Sequence, residues 1–317
     1  MANSPDKAQA CFRTTIGGQA LIEGIMMRGP KKQSIVVRTP EGLVAREEEL
    51  KLVKERYPIL GLPLIRGSAV FIDSMVKGVQ ALMFSAEYLP EEEAEEPSRF
   101  EKWLTEKLGG ERAEKAFIGL ATALGIFFAV GLFILLPTLL VGLFDARIQS
   151  PVARNLIEGA IRVALFLGYL ITISRQKDIR RVFSYHGAEH KTIFCYEKGE
   201  ELTVENVRRQ SRFHPRCGTS FLFVVMIISI LVFSVASFPN LWLRLLFRIL
   251  LLPVVVGISY EINRFTGRHD NAFTRFLTAP GLWLQKFTTN EPDDSMIEVG
   301  IEALRRVIPE EKGSDRW

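Results

Sequence analysis

Uncharged apolar runs dominate the pattern of this chain and set its first predicted elements. Ala116 to Phe144 lies between Lys115 and Asp145 with no charge inside it, and Gly218 to Phe238 is uncharged as well. A hydrocarbon core about 30 Å thick takes about 20 apolar residues of helix, so each run predicts a membrane span. A further span is expected at about Leu156 to Ser174, apolar from Val163 onward but carrying Glu158 and Arg162 one turn apart. The last is expected from about Leu241 to Ile262, with Arg244 and Arg248 in its first two turns. Pro137 is tolerable in lipid where a neighbouring helix covers the carbonyl it frees. Four spans, forming two hairpins over residues 116–174 and 218–262, are the economical count.

The first hundred residues follow another pattern. Residues 16–58 read as a small β-rich region with strands at Gln19 to Met27, Ser34 to Arg38 and Gly42 to Glu47, the last two joined by a turn at Thr39-Pro40-Glu41-Gly42. Residues 59–89 predict an apolar helix interrupted by Arg66, Asp73 and Lys77. Those charges favour an interfacial or bundle-packed helix over a fifth crossing. An acidic linker follows at 90–98, then an amphipathic helix at 99–115. Residues 263–317 close the chain. There Asp293 and Asp294 precede a stripe of Ile297, Ile301, Leu304 and Ile308, which predicts a final helix. Residues 1–15 are expected to be a disordered tail without the apolar core of a secretory signal.

Charge settles the expected orientation. Arg99, Lys102, Lys107, Arg112 and Lys115 precede the first span, and residues 175–217 carry Arg175, Lys177, Arg180, Arg181, Lys191, Arg208, Arg209, Arg212 and Arg216. The positive-inside tendency puts both segments, and both termini, in the cytoplasm. Composition agrees with a membrane protein: 48% hydrophobic residues and a mean hydropathy of +0.15 accompany a net charge of +4. The basic residues flank spans, so they point to a membrane face and to no nucleic-acid partner. Three Cys make no disulfide framework.

Three of the four His lie in the 175–217 segment, in His186-Gly187-Ala188-Glu189-His190 and His214-Pro215-Arg216-Cys217. On a helix His186 and His190 share a face and can reach one ion, and His214 with Cys217 offers a second ligand pair. H-x-x-E-H is also the inverted zinc-protease signature, in which Glu189 would activate a water. Glu261, at the cytoplasmic end of the last span, is an alternative ligand. The competing reading makes these residues a hydrogen-bonded network without metal. Cys195 is expected to be a small buried residue. Within the spans, Glu158 and Arg162 are expected to neutralise each other, Arg244 to snorkel outward, and Arg248 to be the sharper functional candidate.

The strings G-G-Q-A-L-I-E-G-I-M-M-R-G-P from Gly17, H-G-A-E-H-K from His186, H-P-R-C-G-T-S-F from His214, S-Y-E-I from Ser259 and P-G-L-W-L-Q-K-F-T-T-N-E-P from Pro280 resemble those of the YqhQ-like family of bacterial membrane proteins. The resemblance spans nearly the whole chain; Phe287 departs mildly from the family pattern. It implies a multi-pass plasma-membrane protein of unknown function, in a group described as predicted metal-dependent enzymes.

The sequence therefore predicts a mainly α, polytopic helical membrane protein of about four spans with a small N-terminal sheet and a cytoplasmic polar layer. A divalent metal, zinc first, is expected on His186, His190, His214 and Cys217, with Glu189 as general base or as a residue that orients the ligands, and Glu261 as an alternative ligand. The expected activity is hydrolysis of a membrane-associated substrate. The alternative is a non-enzymatic transporter, channel-like or membrane-biogenesis component in which the His/Glu cluster is structural and, of the intramembrane polar residues Glu158, Arg162 and Arg248, the two arginines carry the functional interest. Expected partners are the lipid bilayer and a membrane protein or a second copy of the chain. Gly17 to Pro30 is expected to be a Gly-rich packing or partner surface.

Overall fold

The structure is a computed structural model that describes residues 12–50, 57–88, 99–144, 148, 150–235, 238, 240–269, 271–311 and 313–316. Cys11 and the acidic linker lie outside the described residues. The chain divides into two compact units. The first comprises Met1–Tyr88, Leu170–Val225 and Pro253–Trp317, and the second Leu89–Tyr169 and Met226–Leu252.

The first unit is built on a four-stranded antiparallel sheet of order β1 (Gly17–Leu21), β2 (Gly24–Arg28), β3 (Lys32–Thr39) and β4 (Gly42–Glu49). Alternation along β2 and β3 sends successive side chains to opposite faces, and both faces are covered. Ile25, Met27 and Val36 join Tyr185, Ala188 and Ile193 of helix α6 (Lys177–Glu197) and Met296, Val299, Ala303 and Leu304 of helix α12 (Asp294–Arg305). On the other face Leu21, Met26, Ile35 and Val37 pack with Ala81, Phe84 and Tyr88 of, or just after, helix α1 (Ile65–Ala86). The final helix begins as its sequence predicts, with Asp293 accepting from the Met296 N–H at 3.0 Å.

Several expectations are corrected here. Gln19 to Met27 is not one strand, because a hairpin at Ile22-Glu23 splits it. Glu23 takes a left-handed φ of 51° with no glycine to excuse it. Its carboxylate is held by Arg181 and by the Tyr185 hydroxyl at 3.1 Å, and its carbonyl accepts from Arg38 N at 2.7 Å. These long-range bonds offset the local strain. The expected tail is also shorter, since Thr14 pairs with Arg316 in an isolated bridge and donates to Asp315 at 2.6 Å. The 175–217 segment is mainly helical: α6 runs 21 residues and is followed by the short α7 (Val204–Arg208). Within Gly17 to Pro30, Gly18, Gly24 and Gly29 are packing glycines, whereas Gly17 faces open space: a Cβ on Gly29 would stand 2.6 Å from the Val307 carbonyl.

The second unit is helical. Helix α2 (Arg99–Leu108) does not run on into the span, because Gly109 adopts φ 80° and the chain restarts as α3 (Gly110–Val130). A π turn at Gly131–Leu135 leads into α4 (Leu136–Gly142). Pro137 has no N–H for the Phe133 carbonyl four residues back, and Arg162 of helix α5 (Pro151–Ile173) donates to that carbonyl at 2.7 Å. Gly159 lets α5 approach Ile230 of helix α8 (Gly218–Val235), where a Cβ would fall 2.6 Å from the Ile230 side chain.

Among the described residues four helices are long and apolar enough to cross a membrane: Ile65–Ala86, Ala116–Gly142, Val152–Ile173 and Gly218–Val235. The expected fourth span is broken at Leu251 into α9 (Leu241–Leu250) and α10 (Leu252–Arg268), just before Pro253, and counts as one more only if the bent pair is a single span. Helix α11 (Ala272–Thr288) carries Pro280 inside it and had no expectation in the sequence.

Candidate metal centre

Helix α6 carries the first cluster, and its path is fixed by close approaches that only small residues allow. A Cβ on Gly187 would lie 2.0 Å from the Asn290 carbonyl, so the segment following α11 can cross directly over α6. That segment positions the site. His186 Nδ1 lies 2.8 Å from the Thr288 carbonyl, and His190 Nδ1 lies 2.6 Å from the Arg212 carbonyl. A carbonyl only accepts, so in both rings Nδ1 carries a proton and Nε2 is the nitrogen left for another partner.

His186 Nε2 faces Cys217, and a hydrogen bond from His190 also reaches this thiol. The Cys217 Sγ is 3.2 Å from His186 Nε2, and one ligand atom from each of His186, His190 and Cys217 lies within 4.8 Å of the others. The His186 and His190 ring centroids are 4.3 Å apart. Cys217 immediately precedes α8, where the Thr219 N–H donates to its sulfur at 3.4 Å. Burial alone would raise the thiol's pKa. The charges of His186 and His190 and their hydrogen bonds outweigh burial and hold it well below the usual thiol value. The converse holds for His186: burial opposes its protonation, yet the Cys217 thiolate, with help from Glu189, raises it to about 9. Without an ion the group is thus a thiolate paired with the His186 imidazolium, and an ion held by His186 Nε2 and the sulfur would displace the proton between them.

Glu189 stands beside this group. It is buried, its carboxylate takes a hydrogen bond from the Gly18 backbone, and its Oε2 has no partner. Gly18 must be small here, because a Cβ would stand 2.9 Å from the Glu189 carboxyl carbon. Burial raises the proton affinity of Glu189, against the pull of the two imidazoles. A cavity of about 140 Å³, lined by Thr14 to Gly18, His186, Glu189, His190, His214, Arg216 and Cys217, holds these groups.

Two expected ligands are elsewhere engaged. His214 is close to His190, with centroids 5.5 Å apart, but its Nε2 is directed to Glu197 at 3.5 Å and its Nδ1 accepts from the Arg216 N–H at 3.4 Å. Burial, with the charges of His190 and Arg216, lowers its pKa to about 4 against the Glu197 hydrogen bond. It is a neutral hydrogen-bonding residue and does not join the three-ligand group. Its loop is locked by the buried Gln285, which accepts from His214 N and donates to His214 O, both at 2.7 Å. Glu261 is engaged in a two-pronged ion pair with Arg66 and is likewise absent from the group. Cys195 is buried and donates to the Glu201 carbonyl, as a small core residue.

The chain belongs to the family described as proteins of unknown function, DUF1385. The match covers residues 62–310. The chain is also 35% identical over 297 residues, 92% of each chain, to "Uncharacterized protein YqhQ" of Bacillus subtilis strain 168. No solved structure matches it. Within this DUF1385 chain the string from Pro280 to Pro292 acquires a role: it supplies Gln285, the Thr288 carbonyl and the Asn290 crossing. Sequence reasoning did not find Gln285, Thr288, Arg212 or Glu197, since none of them has a metal-ligand pattern. The glycine inside H-G-A-E-H was the available signal, because it demands a close neighbour.

The charged residues of the second unit form a separate cluster. Glu158 is paired with Arg162 at 2.9 Å, as expected, and also with Arg248. Arg162 further donates to Ser229 at 3.0 Å, and Arg248 bonds Thr138 and Asn155. Arg244 does not snorkel: it is 1% exposed, with its guanidinium beside the open face of Gly142.

Proposed function

We propose that this chain is an integral plasma-membrane protein that binds a divalent metal, zinc first, through His186, His190 and Cys217, and uses the centre for hydrolysis of a membrane-associated substrate. The membrane reading is supported by the large apolar side chains that the helices leave uncovered, among them Phe127 at 72% exposure, Val235 at 91% and Trp242 at 75%. Leaving such surface in water costs about 25 cal/mol per Å². The basic segments before the first span and around α6 and α7 support a cytoplasmic side for both termini.

One observation carries the metal reading: both imidazoles spend Nδ1–H on a backbone carbonyl, leaving their second nitrogens to be shared with the Cys217 sulfur, with one ligand atom of each residue within 4.8 Å of the others. Backbone-oriented imidazoles are characteristic of built metal sites. Three protein ligands leave a tetrahedral ion one open position, which is the catalytic pattern. When bound, such an ion supplies polarisation of a water or of a carbonyl or phosphoryl oxygen. Glu189 would hold and return the proton at Oε2, the other side of its carboxylate being steadied by Gly18. The cavity walls would limit bulk water.

Metal analysis of detergent-purified protein tests this. About one zinc per chain is expected, lost in His186→Ala and Cys217→Ala and retained in His214→Ala. Equal trace metal in all four proteins leaves a hydrogen-bonded network and overturns the metal reading. A non-enzymatic solute pathway is favoured by one observation, the buried Glu158, Arg162 and Arg248 group. It requires function to be more sensitive to Arg248→Gln than to Glu189→Gln, whereas the hydrolase requires the reverse.

A further inference from the structure

Helix α1 is long and apolar enough to cross a bilayer, but its neighbours are incompatible with a crossing. Its three charges are paired inside the first unit: Arg66 with Glu261, Asp73 with Arg28 of β2, and Lys77 with Glu48 of β4 at 3.5 Å. Beyond them Gly78 faces the Gln19 amide, Ala81 is fully buried in the sheet cluster, and the Arg46 guanidinium lies 5.5 Å from the Phe84 ring centroid. From Asp73 to Tyr88 the sheet therefore accompanies the helix for about 22 Å at 1.5 Å per residue. Drawing that stretch into hydrocarbon would bring the charges of Arg28, Arg46 and Glu48 with it, and charged side chains at the bilayer centre are costly. It would also place an open sheet in lipid, where backbone groups at an edge find no partner.

The opposite side of α1 is apolar and uncovered. Ile65, Ile72 and Val76 repeat at helical spacing and are 43%, 62% and 51% exposed, with Met75 beside them. At its N-terminal end the helix touches the ends of two other apolar helices. The Phe71 ring lies 6.1 Å from that of Phe221, in the first turn of α8, and Ser68 donates to the Pro253 carbonyl at 2.9 Å. Gly67 and Gly257 let α1 and α10 meet almost backbone to backbone. The uncovered stripe is thus continuous with the point where α8 begins its uncharged run.

We propose that α1 is an interfacial helix whose Ile65, Ile72 and Val76 stripe rests in the headgroup–acyl boundary of a lipid leaflet, with the sheet carried on its other side. This rests on the membrane reading above. Both ends of α1 then lie on one side of the bilayer. The candidate metal centre is held at that lipid surface, because its rim, Thr14 to Gly18, runs into the strand whose Gln19 meets Gly78.

Nitroxide labels on Ile65→Cys, Ile72→Cys and Val76→Cys, in the full chain in vesicles of phosphatidylethanolamine and phosphatidylglycerol, report immersion depth. A label on Leu231→Cys of α8 serves as reference. The expected result is a shared shallow depth for the first three, about 5–10 Å into the boundary, and a deeper Leu231. A crossing helix would separate the Ile65 and Val76 labels by about 16 Å of depth, and that gradient overturns the proposal. So does shielding of the three labels from lipid while Leu231 is immersed, which would mean that protein covers the stripe. Absence of immersion at Leu231 as well would overturn the membrane reading itself.

Discussion

The two units each bury a polar cluster, and the clusters are finished differently. In the second unit the guanidiniums of Arg162 and Arg248 bond to oxygens of the same unit, those of Glu158, Ser229, Thr138, Asn155 and the Phe133 carbonyl, and both lie over the Phe233 ring. One carboxylate thus ties two guanidiniums within the unit. In the first unit the second-nitrogen bonds of His186 and His190 are consumed, while Nε2, the Cys217 sulfur and Glu189 Oε2 are turned toward a shared cavity. A cluster that uses up its donors holds helices together. One that spends only its orienting bonds keeps ligand capacity.

The sharpest break of this comparison is Glu158→Ala, which strands two buried guanidiniums. A loss of about 3–5 kcal/mol is expected from removing one partner of a buried ion pair, read as lowered unfolding midpoint in detergent. A change below about 1 kcal/mol would mean that the second cluster is not internally balanced. Gly187→Ala comes next. Its Cβ cannot coexist with the Asn290 carbonyl, so about 1–3 kcal/mol and displacement of the Thr288 bond to His186 are expected, with zinc content falling alongside stability. Unchanged metal content would detach the α11 crossing from the centre.

Acid sensitivity probes the rim of the first cluster. The folded pKa of His214 is depressed to about 4, so its neutral form is the one the fold favours. The unfolded chain then binds more protons, and the stability His214 contributes is full above about pH 6.5 and lost as pH falls toward 4. Glu197, held below the ordinary carboxylate value against burial by His214 and Arg216, adds to the loss in the same direction at lower pH. His214→Gln should flatten the thermal-stability profile between pH 6.5 and 4; an unaltered slope would assign it to other groups. The smallest effect is expected at the half-exposed Arg66 and Glu261 pair. Glu261→Gln should cost about 0–1 kcal/mol and leave metal content at the wild-type level, and loss of metal would restore Glu261 as a ligand.

Much of this was legible in residue order, and the exceptions share a cause. The apolar runs, the two-residue turn at Pro40-Glu41, the Asp293 cap and the shared face of His186 and His190 depend on bilayer thickness and on neighbours three or four residues apart. Such signals survive in a linear string. The convergence of ligands does not. His214 and Cys217 are equally good ligands on paper, yet Gln285 and Glu197 turn one away while the start of α8 presents the other. Glu261 was removed by Arg66, nearly two hundred positions distant in the chain. The Ile22-Glu23 hairpin had no turn residue to announce it and exists because Arg181, Tyr185 and Arg38 hold Glu23 from outside.

By itself the sequence determined where apolar helices must form, where the sheet begins and which few side chains can ligate a metal, since these follow from local period, length and residue chemistry. Tertiary structure alone decided which of those side chains face one another. That choice is made by packing partners far away in the chain, whose carbonyls and amides fix the orientation of each ring.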